Sequence, residues 1–414
     1  MSLLSTLFAG VSGLNGQAKA MEIIGDNIAN VNTSGFKKSD VVFGDLFSHV
    51  LHNGSTTSQL GGGTELTGVI QSFRQGAIES SSNALDLAID GNGFFITSAD
   101  GSTGQYYTRN GQFRMNDDGK VQSMTGEILK GFKYNNEVLS TTMEDINLAG
   151  VQSKPQASTY FNLGVQLNAS ATAASTFSSP ITLYNSVGST ITLNLAFTKV
   201  AAGNKWTYAA TTSEGTITAG ASGTVSFDTT GQLSKVDGED IADHTFTIDF
   251  GSAVPPANEM TLTWDLVNSL GATHGELTGF SADSNNNSLV QDGFKTGTLL
   301  ALSVDNAGVI NGLFNNGQSE MLYKVAMADF LAPSGLTRVG SNRFAESAAS
   351  GDPIIGVPQT GGMGSILGQS LELSNVDIAQ QFVQMIKTQQ AYQASARLIT
   401  TTDDLLSESV NLVR

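Results

Sequence analysis

The sequence predicts an α+β protein that is mainly β, with a long helix at each end and all-β domains between the helices. Three observations predict this class: an apolar heptad repeat at the start of the chain, a second heptad repeat at its end, and period-two alternation with turn dipeptides in between. We expect the two heptad segments to pair as a coiled-coil core domain, so that the β-domains are nested within it and discontinuous.

The N-terminal helix is predicted from apolar side chains spaced alternately three and four residues apart. It is a weak helix by composition, because Gly10, Gly13, Gly16 and Gly25 each cost roughly 1 kcal/mol relative to alanine. We therefore expect it to order only when packed, with its glycines allowing backbones to approach closely. An intramolecular coiled coil in a monomer is the alternative. The predicted packing positions are Leu4, Leu7, Val11, Leu14, Met21 and Ile28.

The middle of the chain shows strand-like alternation between turn signals. Asn110-Gly111 and Asp118-Gly119 predict hairpins, Asn311-Gly312 and Asn316-Gly317 predict further turns, and Gly361–Gly364 is interpreted as a flexible joint into the closing helix. A segment rich in Thr, Ser and Ala predicts an inserted sandwich or barrel. The predicted domains are 1–32 with 365–414 (helical core), 33–76 (extended linker), 77–144 with 285–364 (middle β-domain, a meander) and 145–284 (outer β-domain).

The C-terminal helix is predicted from Ile378 onward, where neither Gly nor Pro interrupts the pattern, and at ~1.5 Å per residue it would run to about 60 Å. Its two apolar stripes lie on different faces, so one partner helix cannot cover both. The first stripe is Ile378, Phe382, Met385, Tyr392, Ile399, Leu406 and Val410, and the second is Leu398, Leu405 and Leu412. A third row is polar but uncharged and includes Gln381, Thr388, Ser395 and Thr402.

Composition excludes several classes of function. Hydrophobic residues make up 40% of the 414 residues, which is typical of a globular chain. The net charge of −17 argues against nucleic acid or an anionic membrane as a partner. The absence of cysteine excludes disulfides and thiol chemistry. No apolar run reaches the roughly 18 residues of a membrane span, and no cleavable signal begins the chain, so we expect no membrane insertion and an unconventional route if the protein is exported.

The sequence offers no catalytic, cofactor or metal constellation, so we expect a non-enzyme without cofactors. Glycine runs lack the Lys-Ser/Thr of a phosphate loop, and carboxylates lie beside turns, where aspartate forms local hydrogen bonds. No carboxylate pair is singled out for hydrolysis.

Five segments resemble motifs of the bacterial flagellar rod and hook axial proteins. They are Ile28–Lys37, Asp90–Phe95, Tyr107–Phe113, Ser374–Asp377 and Gln389–Ala394. Within that family, distal rod proteins lack a large outer insertion. The long insertion here therefore makes the chain most similar to the hook-protein (FlgE-type) members.

The resemblance implies a subunit that polymerises with copies of itself into a curved, extracellular tube. Such a tube is a universal joint that transmits torque from the basal-body rod to the filament. The implied partners are the distal rod, hook-cap and hook–filament junction proteins and the type III export apparatus, which exports the chain without a cleaved signal. An export-gate element, Phe-x-x-x-hydrophobic, is implied at Phe43 and Phe47, although a buried strand explains the same residues.

On this hypothesis the terminal helices form a stiff inner tube, the uncharged row of the last helix lines its channel, and charge-poor outer domains touch through weak contacts. Other interpretations stay open. One is a different axial protein, such as a long distal rod or hook-associated protein. A secreted β-rich adhesin or carbohydrate-binding protein is another, and an extracellular hydrolase is the third.

Overall fold

The structure, a computed structural model, describes most of the chain and divides it into two compact units. The described residues are 3–46, 49–53, 56–102, 104–251, 257–267 and 276–412, with side chains at all of these except 3–4, 49–53, 56–60 and 412. The first unit is Met1–Gly150, Ala301–Gly312 and Glu320–Arg414; the second is Val151–Leu300 and Leu313–Ser319.

The first unit contains both long helices, α1 (Leu3–Ala29) and α2 (Ile378–Leu412). Its early strands are β1 (Ser39–Asp45), β2 (His49–Asn53), β3 (Thr56–Leu60), β4 (Thr64–Gln71), β5 (Ile78–Ser80), β6 (Leu87–Asp90), β7 (Phe94–Ser98), β8 (Gln105–Thr108), β9 (Phe113–Met115), β10 (Val121–Ser123), β11 (Ile128–Asn135) and β12 (Val138–Asp145).

The second unit follows in the chain and is built from strands alone in its described part. These are β13 (Gln152–Ser153), β14 (Tyr160–Gln166), β15 (Thr176–Tyr184), β16 (Thr190–Lys199), β17 (Lys205–Thr212), β18 (Thr216–Ala219), β19 (Ser222–Phe227), β20 (Leu233–Val236), β21 (Glu239–Asp240), β22 (His244–Asp249), β23 (Met260–Trp264), β24 (Leu277–Thr278) and β25 (Asn285–Gln291).

Three strands, β26 (Gly297–Val304), β27 (Val309–Phe314) and β28 (Ser319–Val325), have residues in both units. The chain then completes the first unit with β29 (Met327–Asp329), a 3-10 turn (Pro333–Gly335), β30 (Thr337–Gly340), β31 (Arg343–Ala345), β32 (Ile354–Gly356), β33 (Ser365–Gly368) and β34 (Ser370–Glu372).

The central sheet of the first unit is antiparallel and draws strands from distant parts of the chain. Its order includes β28-β11-β7-β8-β31-β30, so three strands from the early part of the chain lie between strands from its late part. An aromatic cluster fills its core, where the rings of Tyr107 and Phe330 meet edge to face at 4.8 Å and Phe94 contacts Phe330 at 5.9 Å. Edge-to-face pairs contribute beyond the area they bury.

The second unit is a sandwich of two six-stranded sheets around one hydrophobic core. One sheet runs β15-β16-β17-β19-β20-β21, and the other runs β18-β22-β23-β14-β24 with β25 also paired to β14. In β16, buried apolar residues alternate with more exposed Thr, Asn and Ala. The alternation follows from the two-residue period of a strand that is covered on one face. The fold class predicted from the sequence, mainly β with terminal helices, is confirmed.

Three local predictions are wrong. Asn110-Gly111 does not close a hairpin: β8 pairs with β7 and β31, β9 pairs with β10, and the Gly111 carbonyl accepts a hydrogen bond from the Leu87 amide at 3.0 Å. Asn311-Gly312 lies inside β27, and the turn before it is made by Asp305, whose carboxylate accepts from the amides of Ala307 and Val309. The side-chain bonds of an Asx turn outweigh the dipeptide signal there.

The third concerns the segment Gly361–Gly364, which is not a joint into the closing helix. Met363 is buried, and β33 and β34 follow, paired with β6 and β5. Residues 365–372, which were predicted to start the helical domain, therefore form two strands that are joined at Gln369. The turn between Asn316 and Gly317 is where it was predicted.

Candidate functional site: the terminal helix pair

The two helices of the first unit pack against each other through small side chains on α1. A Cβ added to Gly10 would lie 3.0 Å from Cγ1 of Ile399, and one added to Gly13 would lie 3.1 Å from Oγ of Ser395. Further along the same face, Ala20 and Ile24 are almost fully buried. The glycines therefore bring the two backbones close, as the sequence predicts.

Polar residues fix the register of the pair near the end of α1. Asn27 is buried, and its Nδ2 donates to Oε1 of Gln381 at 3.2 Å and to the carbonyl of Ser39 at 2.8 Å. Its Oδ1 accepts from the Ser39 amide at 2.9 Å. A buried amide whose donors and acceptors are all used specifies one arrangement, because a shifted register leaves them unpaired.

The uncharged polar row of α2 faces α1. Gln381, Thr388 and Thr402 are buried and Ser395 is half-buried. The hydroxyls of Thr388 and Thr402 donate to carbonyls of their own helix, at 2.9 Å and 2.7 Å, so their burial leaves no donor unpaired. Lining of a channel, the predicted role, requires these side chains to face water, and in this arrangement they face the first helix instead.

The predicted packing stripes lie beside this contact. Many of the predicted packing residues of α1 and of the first stripe of α2 are half-buried: Leu7, Leu14, Met21, Ile28, Met385, Tyr392, Ile399 and Leu406. Val11, Ile378, Phe382 and Val410 are exposed, as are Leu398 and Leu405 of the second stripe. Leu4 and Leu412 lie in the helices, but their side chains are outside the described part. The apolar stripes thus border the helix contact and are only partly covered by it.

The sequence patterns did not single out several residues of α1 that are buried in the helix contact, nor several apolar residues of the two helices that are exposed to water. Ala20, Ile24 and Asn27 are buried against α2 or the strands beside it, and Val383, Ile386 and Phe8 are exposed. A search for large apolar heptads passes over a face of Gly, Ala and Asn. Spacing of small residues at Gly10, Gly13 and Ala20 was the signal available.

The start of α2 is set by side-chain hydrogen bonds. Asp377 caps the helix, since its carboxylate accepts from the Gln380 amide at 3.1 Å. Just before it, Asn375 donates to the carbonyls of Ser72 and Arg74 at 2.8 and 2.9 Å. The Ser374–Asp377 motif therefore both starts the helix and anchors it to the segment after β4.

Of the two residues predicted to form an export-gate element, Phe43 lies in β1, and its ring packs beside Gly16 of α1 with part of its surface open. Phe47 is outside the described residues. Across the described part of the chain, no helix is long and apolar enough to span a membrane, and no cluster of three or more metal-ligating side chains is found.

Comparisons with known families match both ends and the centre of the chain. The family described as flagella basal body rod protein matches residues 7–37, and the flagellar hook protein FlgE/F/G D1 domain matches 88–172. The flagellar basal body protein FlaE D2 domain matches 147–294, and the flagellar basal body rod FlgEFG protein C-terminal family matches 367–412. The matches at the two ends contain most of α1 and α2.

Curated relatives match over the whole chain. The flagellar hook protein FlgE of Borreliella burgdorferi is 32% identical over 99% of this chain and 100% of its own length. That of Brucella suis is 31% identical over the full length of both chains. A solved structure, the Helicobacter pylori flagellar hook protein FlgE2, covers 71% of this chain and is itself covered completely, at 14% identity with a TM-score of 0.44. On the strength of the full-length relatives, the chain belongs to the flagellar hook protein FlgE family.

Proposed function

We propose that the chain is a structural subunit of the flagellar hook, which assembles through its terminal helices into a curved, bendable tube. The tube acts as a universal joint and transmits torque from the rod to the filament. The subunit is not an enzyme and needs no cofactor.

One observation carries the proposal: a long helix keeps an apolar face open to water. Within the first turns of α2, Ile378, Phe382, Val383 and Ile386 are between 46% and 52% exposed. A contiguous apolar face of this kind on a soluble subunit marks an interaction surface. The contact between α1 and α2 uses the opposite face of α2, which carries small and polar residues. We therefore assign the exposed apolar face of α2 to contacts with further copies of the chain.

We assign different roles in the proposed tube to the terminal helices and to the β-domains, and this assignment is the proposed division of labour. The predicted stripes of α1 and α2 pack between subunits and make a stiff inner tube. The predicted linker at 33–76 leads from the inner helices to the β-domains. These domains, among them the outer domain at 145–284, form the cladding and touch through weaker polar contacts. A channel-lining role for the row from Gln381 to Thr402 would require α1 to move away from it, so we assign the row to the helix pair.

The proposed partners and location follow from the family. The subunit contacts the distal rod, hook-cap and hook–filament junction proteins, and the flagellar type III apparatus exports it to the cell exterior without a cleaved signal. Phe43 and Phe47 are the proposed export-gate residues. Partial exposure of Phe43 supports access to this site before assembly.

Electron microscopy of the purified chain in kosmotropic salt, which strengthens apolar burial, tests the proposal. We expect curved tubes above a critical concentration. Straight tubes would favour a distal rod protein. A monomer that forms no tubes at any concentration and binds glycans would contradict the proposal in favour of an adhesin.

A further inference from the structure

Two of the motifs singled out in the sequence, and a residue just before a third, contribute side chains to one buried ionic cluster. Lys37 follows α1, Arg109 follows β8, and Glu372 ends β34 just before α2. Their side chains are 0%, 4% and 0% exposed. Lys37 Nζ lies 2.6 Å from Glu372 Oε1, and a guanidinium nitrogen of Arg109 lies 3.4 Å from Glu372 Oε2. One carboxylate therefore bridges two cations that are far apart in the sequence.

Each member of the cluster also holds a backbone segment. Lys37 Nζ donates to the Arg74 carbonyl at 2.9 Å, and Arg109 donates to the Gly91 carbonyl at 2.7 Å. Glu372 Oε1 accepts from the Gly76 amide at 2.8 Å. The cluster therefore ties the segment after α1, the segment after β4, the turn before β7 and the entry to α2.

Backbone contacts beside the cluster also fix the position of the segment that follows α1. The Gly35 amide donates to the Glu372 carbonyl at 2.8 Å. Gly35 has φ of +69°, and a Cβ on it would lie 2.6 Å from the Arg109 backbone. Only glycine fits such an approach. The segment after α1 thus lies directly against the backbone of Arg109, which follows β8.

Stability alone is a poor explanation for this cluster. Burial lowers the pKa of Lys37, with the charge of Glu372 opposing that shift, and burial likewise lowers the pKa of Arg109. Arg109 Nε is buried without a partner among the described residues. Buried ion clusters are often no more stabilising than apolar replacements, and their best-attested use is to specify one arrangement.

We propose that Lys37, Arg109 and Glu372 form a positioning cluster that fixes the directions in which α1 and α2 leave the β-sheet part of the first unit. Given the proposed hook function, the cluster passes a rotation of the β-domain to the inner helices as a rigid body instead of letting the connecting segments absorb it. The Ile28–Lys37 motif, the Tyr107–Phe113 motif and Glu372 then act together to hold both helices in fixed directions.

Spin-label distances in the full-length monomer test this assignment. The chain lacks cysteine, so Ala379→Cys in the first turn of α2 and Val138→Cys on β12 give one label pair. Arg109→Met removes one cation and leaves the ion pair of Lys37 and Glu372, whose charges cancel. Glu372→Gln removes the carboxylate and leaves the cations Lys37 and Arg109 without a negative partner. We expect both to broaden the distance distribution by roughly twofold or more, with the larger effect for Glu372→Gln.

Arg114→Met is the matched control, because Arg114 is exposed on β9, and it should leave the distribution unchanged. An unchanged distribution in folded Arg109→Met would overturn the proposal. Failure of Arg109→Met to fold would also overturn it, since the cluster would then serve stability and not orientation. Absence of tubes from the unsubstituted chain would count against the hook function only, because the distances are measured in the monomer.

Discussion

Replacing Phe382 and Ile386 together by aspartate is expected to abolish tube formation while the subunit still folds. Both side chains are about half exposed in the subunit, so carboxylates there remain solvated and cost the monomer little. In the proposed tube, other copies of the chain cover the same positions, and burying an unpaired charge there costs at least about 3 kcal/mol. The critical concentration should rise by at least about a hundredfold, as measured by sedimentation and electron microscopy.

Val138→Asp is the matched control for this change. Val138 is 70% exposed on β12, and the substitution makes the same chemical change outside the helices. It should leave the critical concentration nearly unchanged. Normal tubes from the Phe382→Asp, Ile386→Asp variant at ordinary concentration would show that the open face of α2 is not the assembly surface.

Trp264→Ala is expected to unfold or severely destabilise the second unit without preventing assembly. Trp264 is fully buried, stacks on Phe161 at 6.0 Å and meets the Tyr208 ring edge to face at 5.6 Å. Loss of a buried tryptophan costs about 3–5 kcal/mol, a large fraction of the stability of a domain. Calorimetry should show the transition of the second unit shifted down or lost while the other transitions persist.

Tyr160→Ala on the neighbouring strand β14 is the control, because Tyr160 is 40% exposed and its removal leaves a much smaller cavity than the loss of the fully buried Trp264. Tubes should still form from Trp264→Ala subunits, since the helices carry assembly. If tubes disappear although the first unit remains folded, the inserted unit contributes to polymerisation and the proposed division of labour is wrong.

The elements that follow from local periodicity could be predicted from the sequence. In β16, the large apolar residues Ile191, Leu193, Leu195 and Phe197 mark buried positions, because a half-covered strand buries alternate side chains. The two long helices follow from uninterrupted heptads, and Asp377 marks the start of α2. These signals are confined to a few neighbouring residues, so the sequence carries them directly.

The contact face of the helix pair could not be predicted in the same way. Periodicity shows that α2 has several faces to cover, but not which face its own chain covers. Gly10 and Gly13 decide this, because they allow α1 to approach the Ser395 face more closely than larger side chains would. The hydroxyls of Thr388 and Thr402 bond within α2, so a row that looks solvent-facing is buried without penalty.

The positioning cluster of Lys37, Arg109 and Glu372 could not be predicted from the sequence either, for a different reason. Lys37 and Glu372 are separated by most of the chain, and neither lies in a repeating pattern. Their pairing depends on the β-sheet part bringing the two ends together. The motifs that contain or adjoin them were recognisable only by resemblance, and their shared location is a property of the folded chain.

Amide hydrogen exchange on the same protein as monomer and as tube measures most directly whether the two ends are assembly elements. We predict that amides of α1 and α2 exchange quickly in the monomer, where one apolar face is open, and gain strong protection in the tube, while the β-sandwich core around Trp264 changes little. Equal protection of the helices in both states, or new protection confined to the β-strands, would contradict assembly through the terminal helices.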